Sequence, residues 1–594
     1  MCGIAGMFRY PADRETRVQL VNAMGGEIQH RGPDDSGHFA DEDITLGMQR
    51  LSIIDLPGGH QPMSSDDGVH LVFNGEIYNF EALREQLTGS GEHFRTRSDT
   101  EVILHQYRKH GLDGFQQMNG MFAVAIWDAR SRSLHLVRDR MGVKPLYYFW
   151  DGRTFAFASE IKALLALPAV AREIEPHAIW DYLTFRYVPG PRTIWRHIFK
   201  LPPAHRMTIS AQAPQPQLSR WWDVPYEGAR HSTKTDHTAE FGALFTDAVN
   251  LRMIADVPVG ITLSGGIDSS AVAAVAAASH PRVKTFSVAF AGSDATDERH
   301  YARMVATHLG TDHAEIEIGE REFLDFLPSF VRYSDEPLAD LASVPLYYVC
   351  RLARQSVKVA LSGEGADEIL AGYDFERWWA HRVAHDRTGG DVRGDPVPPH
   401  MTNYMSSPEK RALFRAPAEY PDSLDVLRGH LQRGGMRHPL DQMLYLYCQD
   451  WLVEDLLMKA DRMSMANSLE LRTPFLDYRL VEWAARAPID VKIGNGQTKH
   501  VLRRFAEPLL PAEILTRPKQ GFPVPVYGWL SGPLKAQAHD LVLGASANLA
   551  TWFGRAALEQ TVARGTDPGA AVHDRHRLWH LMILEYWFRA WCPR

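Results

Sequence analysis

Gly260-Ile-Thr-Leu-Ser264-Gly265-Gly266-Ile267-Asp268-Ser269-Ser270 runs from an apolar strand through a glycine-rich turn into the helical stretch Ser269 to Ala278. Glycines let a backbone approach an anion closely, and the first N–H groups of the following helix face it. The Walker pattern, GxxxxGK followed by Ser or Thr, is absent, so this is not a Walker phosphate loop. Asp268 speaks against a bare phosphate cradle; a carboxylate there makes sense if it meets Mg²⁺. By itself the turn also reads as an ordinary strand-to-helix connection with Ser or Asp as N-cap.

Working outward, Thr238 to Met253 carries helical spacing, and Val257 to Leu263, Val283 to Phe290 and Val357 to Leu361 are compact apolar runs, the last two followed by helical sequence. Strands alternating with helices predict a parallel sheet covered on both faces. The last third of the chain reads as largely helical. Residues 1 to about 210 differ: short apolar runs (Ile44 to Leu51, Val69 to Phe73, Phe122 to Trp127, Leu134 to Val137, Phe155 to Ala158) are separated by Gly and Asp turns. They predict a β-rich domain with a few helices, such as Asn79 to Leu87 and Thr100 to His110. The polar, Pro-containing stretch Ser210 to Asp236 is the expected inter-domain connection.

The chain has 594 residues, enough for two to four domains. A net charge of −8 argues against a general nucleic-acid binder or a basic membrane-surface protein. Four scattered cysteines, Cys2, Cys350, Cys448 and Cys592, offer neither a disulfide framework nor CxxC metal spacing. The N-terminus lacks a signal-peptide pattern, and the apolar run Ala271 to Ala278 is far shorter than the roughly 20 residues of a membrane span. A cytoplasmic location is expected.

Cys2 follows the initiator Met. Trimming of that Met would put a thiol and a free α-amine on one residue, a nucleophile beside a base of pKa about 7.7–8.0. Taken singly, Cys2 reads as a buried thiol. Other segments supply what acyl transfer from an amino acid needs: His30-Arg31-Gly32-Pro33-Asp34, Arg50-Leu51-Ser52-Ile53-Ile54, Asn74-Gly75-Glu76-Ile77-Tyr78-Asn79 and Ser98-Asp99-Thr100-Glu101. A guanidinium can hold a substrate carboxylate and an acid its ammonium, while an Asn side chain and a Gly N–H can hold an oxyanion.

In this order and spacing, MCGIAG, HRGPD, RLSIID, NGEIYN and SDTE resemble the glutaminase domain of class II glutamine amidotransferases, as do FAVAIWD (Phe122 to Asp128), RDRMGVKPLYY (Arg138 to Tyr148) and FASEIKAL (Phe157 to Leu164). SGGIDSS resembles the pyrophosphate loop of ATP pyrophosphatases. Ser362-Gly363-Glu364-Gly365-Ala366-Asp367-Glu368, Ala460 to Asp477 and Thr498 to Arg503 are similar to the asparagine synthetase family. The resemblance implies an N-terminal nucleophile hydrolase α-β-β-α sandwich (2–209), a linker (210–236) and a doubly wound α/β ATP pyrophosphatase domain with a helical C-terminal part (237–594).

It further implies that Cys2 is the nucleophile and that Asn74 and Gly75 form the oxyanion hole. Glutamine would be held by Arg50, Leu51, Ile53, Ile54, Glu76 and Asp99. ATP would be held by Leu263, Ser264, Gly265, Gly266, Asp268, Ser269, Val288, Ser362 and Gly363, with Asp268 and Asp367 binding Mg²⁺. Glu364 would serve the acyl-adenylate step and Lys499 would neutralise phosphate charge. The expected partners are small molecules (glutamine, ATP, aspartate or another carboxylate), with a homodimer as the candidate assembly. Asp335-Glu336-Pro337, Ser343-Val344-Pro345 and Arg517 to Pro523 are expected to border the acceptor, and Asp386 to Pro399 to be a mobile loop.

Overall fold

The computed structural model describes residues 2–226, 236–291, 299–373, 401, 404–416, 419–436, 438–517 and 524–592. The expected loop 386–399 and residues 518–523 lie outside them.

The first half stacks two six-stranded antiparallel sheets. Cys2–Phe8 lies inside one sheet, between Ile44–Arg50 and Phe155–Ala158, with Cys2 opposite Arg50. It reads CGIAGMF and is buried along its whole length, so its pattern is an unbroken apolar run rather than an alternation. The second sheet centres on Val69–Ile77 paired with Gly120–Asp128, which sets Asn74 opposite Ala123 and Gly75 opposite Phe122. Helix Arg14–Glu27 packs on the first sheet and helix Asp99–His110 on the second, completing the α-β-β-α sandwich. This is the expected arrangement, with one difference. Gln217–Arg220, inside the stretch read as a connection, is an edge strand paired with His205–Ser210. All four of its residues are exposed, so no apolar alternation marked it.

The second half holds a five-stranded parallel sheet in the spatial order Asp312–Ile318, Lys284–Phe290, Val259–Thr262, Val359–Leu361, Glu470–Arg472. In chain order this is 3-2-1-4-5, so the direction of winding reverses between Val259–Thr262 and Val359–Leu361. At such a reversal the loops leaving adjacent strands diverge and open a crevice at the carboxyl ends of the strands. The two loops here are the SGGIDSS and SGEGADE turns. Helix Ile267–Ser279, rich in alanine and valine, starts at the first turn and buries nine residues.

One contiguous apolar cluster joins the halves, from Met7 and Tyr147 to Trp587 and Trp591. The C-terminal helix Val572–Trp591 brings Trp587 to within 5.3 Å of Trp195, ring to ring. Charged side chains are buried at the same interface. Arg31 reaches Asp461 through two hydrogen bonds of 2.7 and 3.0 Å, and Glu160 at 2.7 Å. Buried charges carry a large desolvation cost unless paired, so this geometry ties the halves into one relative position. Asp335 and Glu336 belong here rather than to an acceptor cleft. Asp335 accepts the Ile161 N–H at 2.8 Å and pairs with Lys162, while Glu336 accepts the Ile194 N–H and pairs with Lys200.

Candidate active sites

Cys2, Arg50, Leu51, Ile53, Ile54, Gly75, Glu76 and Asp99 line one pocket of about 280 Å³. Asn74 joins them: its Oδ1 accepts the Cys2 backbone N–H at 3.0 Å, which leaves Nδ2 buried with no hydrogen-bond partner. The Cys2 carbonyl accepts Arg31 Nε–H at 3.1 Å, so both backbone polar groups of Cys2 are held. Burial pushes the Cys2 thiol above its ordinary value, against the lowering influence of a Leu51 backbone hydrogen bond and of Arg50. Burial thus favours the neutral thiol over the thiolate.

Two of these positions depend on glycine. A Cβ on Gly75 would lie 2.0 Å from the Met121 carbonyl oxygen, and one on Gly59 would lie 2.0 Å from Arg50 Nη2. Gly59 gives the Arg50 fork its room. That fork donates to the carbonyls of Ile54, Asp55 and Leu56 at 2.8–3.1 Å, which fixes its direction at the pocket wall.

Asp99 opens its helix behind the N-cap Ser98, whose side chain accepts the Thr100 N–H. Burial raises the Asp99 carboxyl to about 6, against the lowering effect of the Ile77 N–H that it accepts at 3.0 Å. Glu76 is raised well above the usual carboxylate range by burial, then by Glu470 and Asp99, and its Oε2 has no hydrogen-bond partner. Burial disfavours the charged form of both carboxyl groups, and an ammonium group beside them would favour it.

The second site is a cleft of about 2070 Å³ at the reversal point of the parallel sheet. Leu263, Ser264, Asp268, Ser269, Val288, Ser362, Gly363, Glu364 and Asp367 all line it. Gly265 and Gly266 shape the turn from just outside the lining. Gly265 has φ +72°, and a Cβ there would lie 2.5 Å from the Tyr301 Cβ. The two turns touch, since a Cβ on Gly363 would lie 2.8 Å from the Asp268 Cβ. Lys499 is buried at the head of helix His500–Ala506 and has φ +52°. Its ammonium donates to both Asp268 oxygens at 2.8 and 2.6 Å and lies 2.7 Å from Asp367 Oδ1. Gly372 clears the way, because a Cβ there would lie 2.0 Å from Lys499 Cε. The Ser362 hydroxyl is buried in the wall without a hydrogen-bond partner.

Pro345 lines the cleft, together with Asp340, Lys459, Trp451 and Tyr527. Sequence reasoning gave those four no role. Glu368 also lines it, raised to about 8 by burial and then by Asp367. Glu368 lay inside the quoted SGEGADE segment; Asp340 and Lys459, which pair at 2.9 Å, carry no local signal.

The Asparagine synthase family model matches residues 240–589, and the Glutamine amidotransferase domain model matches residues 1–222. The chain belongs to the asparagine synthase family. This family member is 36% identical to the glutamine-hydrolysing asparagine synthetase 1 of Bacillus subtilis, over 91% of its own length and 90% of the relative's. It is 34% identical to synthetase 3 of the same organism over 88% and 87%. The amidase chry2 of Gibberella zeae is 27% identical over 92% of each chain. The protein is thus an enzyme of the glutamine-hydrolysing asparagine synthetase type, a ligase of a family that uses ATP.

Proposed function

We propose that the enzyme hydrolyses glutamine at Cys2, passes the ammonia between its halves, and amidates the side-chain carboxylate of aspartate after activating it with ATP. The observation that carries this reading is the first pocket. One small space gathers a thiol, an unpartnered Asn74 Nδ2, a braced Arg50 and the two buried carboxyl groups of Glu76 and Asp99.

In this reading Arg50 faces the glutamine carboxylate, and Glu76 and Asp99 take its ammonium. With the initiator Met removed, the α-amine of Cys2 takes the thiol proton as sulfur attacks the amide carbon. Asn74 Nδ2 and the Gly75 N–H donate to the oxyanion. The amine then protonates the leaving nitrogen, ammonia departs, and water hydrolyses the thioester to glutamate. Ammonia is nucleophilic only when unprotonated, so a dry route between the halves would serve the next step.

At the cleft, Leu263 and Val288 border the adenine, and the SGGIDSS turn with Ser362 and Gly363 receives the phosphates. The aspartate carboxylate attacks the α-phosphorus and pyrophosphate leaves. Ammonia then attacks the acyl-adenylate, with Glu364 as its base, and AMP leaves. Asp268 and Asp367 converge on one cationic point, now taken by Lys499, and hard carboxylate oxygens suit Mg²⁺. They would hold that ion, which neutralises phosphate charge, while Lys499 turns to the phosphates. A cytoplasmic setting is part of the reading and accords with four free thiols.

Aspartate as acceptor is supported by the names and lengths of the Bacillus relatives. A second reading, the same chemistry on another carboxylate, is favoured by the amidase relative that matches over the same extent. Incubation with glutamine, Mg-ATP and aspartate decides between them. Asparagine with equimolar AMP and pyrophosphate is expected; glutamate release without asparagine would replace the first reading by the second.

A further inference from the structure

Arg472 ends the edge strand of the parallel sheet and is wholly buried, paired in register with Leu361. Its backbone carbonyl accepts the Ser362 N–H at 2.9 Å, so it braces the first residue of the SGEGADE turn. Its side chain reaches the other site. Nε donates to Glu470 Oε1 at 2.5 Å, and Nη1 donates to the carbonyls of Arg252 and Ile254 at 2.8 and 2.7 Å. Nη2 is left without a hydrogen-bond acceptor. It lies 3.7 Å from Glu76 Oε2, the pocket oxygen that also has no hydrogen-bond partner.

A guanidinium and a carboxyl group, one from each half, thus face each other beyond the roughly 2.7–3.2 Å of an N–H···O hydrogen bond. In a low-dielectric interior such a pair has two favourable outcomes. Glu76 can close on Arg472, or it can turn to a cation that enters the pocket.

We propose that Arg472 is a positioning residue that couples occupancy of the glutamine pocket to the nucleotide turn at Ser362. The inference rests on the reading of the first pocket given above. A glutamine ammonium competes with Arg472 for Glu76. The guanidinium is anchored by three bonds within the second half, so a change in its pull acts on strand Glu470–Arg472 and on the Ser362 N–H that this strand holds. Coupling of this kind is reciprocal: nucleotide must change glutamine affinity by the factor by which glutamine changes nucleotide affinity. An Arg472 that only stabilised the strand would leave the two affinities independent.

The full chain carrying Cys2→Ala binds glutamine without hydrolysing it, and α,β-methylene-ATP is not cleaved at the family's bond. Titration calorimetry then gives each Kd with and without the other ligand. The expected result is a change of about five- to tenfold, equal in both directions. Adding Arg472→Gln brings the factor to about one. Arg472→Lys does the same while keeping a charge beside Glu470, and so covers the case in which the Gln variant fails to fold. Independent affinities in the Cys2→Ala chain, or an unchanged factor in a folded Arg472 variant, would overturn the inference. Absence of any glutamine binding would instead overturn the reading of the pocket, and the inference with it.

Discussion

In the glutamine pocket, Asn74 Nδ2 and Glu76 Oε2 are buried with no hydrogen-bond partner, whereas in the cleft Lys499 sits between Asp268 and Asp367 at 2.6–2.8 Å. The pocket draws Cys2 from an inner strand of one sheet and Asn74, Gly75 and Glu76 from a strand of the other, where backbone pairing fixes the positions of their Cα atoms. The cleft draws its groups from turns at the ends of parallel strands and from the head of a helix. Rigid strands can hold an unsatisfied group in place until a ligand satisfies it. Groups on turns satisfy one another first and must exchange partners when the ligand arrives. On the proposed reading the first site holds its donors ready, whereas in the second Lys499 must leave Asp268 and Asp367 to meet phosphate.

The largest effect that separates the two sites belongs to the nucleophile. Cys2→Ala should cut glutamine-dependent synthesis by ~10³-fold or more and leave ammonia-dependent synthesis within about threefold. Loss of both, measured as amide formation from each nitrogen source, would break the division into two sites. Lys499→Ala tests the other side. Both nitrogen sources should lose ~10²–10³-fold in synthesis, while glutamine hydrolysis without ATP stays near its original rate. Retained synthesis would show that the Asp268–Lys499–Asp367 cluster is not used in the chemistry.

Asn74→Ala should lower kcat for glutamine hydrolysis by ~10²-fold with a smaller change in KM, as expected of a donor that acts on the oxyanion. An effect confined to KM would make Asn74 a ground-state contact.

Asp99 sharpens the comparison through pH. Its folded value is raised to about 6, so between about 4 and 6 the folded chain binds this proton more strongly than the unfolded chain does. Stability therefore falls as pH rises through that window, and the full cost is present at neutrality. Asp99→Asn should stabilise the protein at pH 7.5 by on the order of 1–3 kcal/mol in denaturant melts while abolishing glutamine use. In the unaltered enzyme, kcat/KM for glutamine should fall about tenfold per unit below about pH 8 as the Cys2 α-amine is protonated, and about a further tenfold per unit below about pH 6 as Asp99 is protonated. A slope that does not steepen through pH 6 would show that this carboxylate does not hold the substrate.

The contrast between the sites also marks what the sequence could show. Asn74, Gly75 and Glu76 are consecutive and Asp99 follows an N-cap serine, patterns that singly read as a turn and a cap; the resemblance of the whole ordered motif set singled them out. Both nucleotide turns stood out as glycine interruptions between an apolar run and a helix. The links between the halves were not legible: Arg31 and Asp461 are 430 positions apart, and only packing reveals that they pair. Asp335 and Glu336 were expected to border the acceptor, but their partners Lys162 and Lys200 come from the other half. Lys499 was expected to meet phosphate. Its present seat between two carboxylates depends on a left-handed backbone and on the clearance at Gly372, neither visible in a pattern of residue types.

The central claim is that nitrogen freed in the first pocket is used in the second without passing through bulk water. Glutamine labelled with ¹⁵N in its amide, supplied with Mg-ATP, the acceptor carboxylate and an excess of unlabelled ammonium, tests it directly by mass spectrometry of the amide product. The account predicts product that keeps most of the label, with one AMP for each amide. Product diluted to the isotopic composition of the bulk ammonium would contradict it.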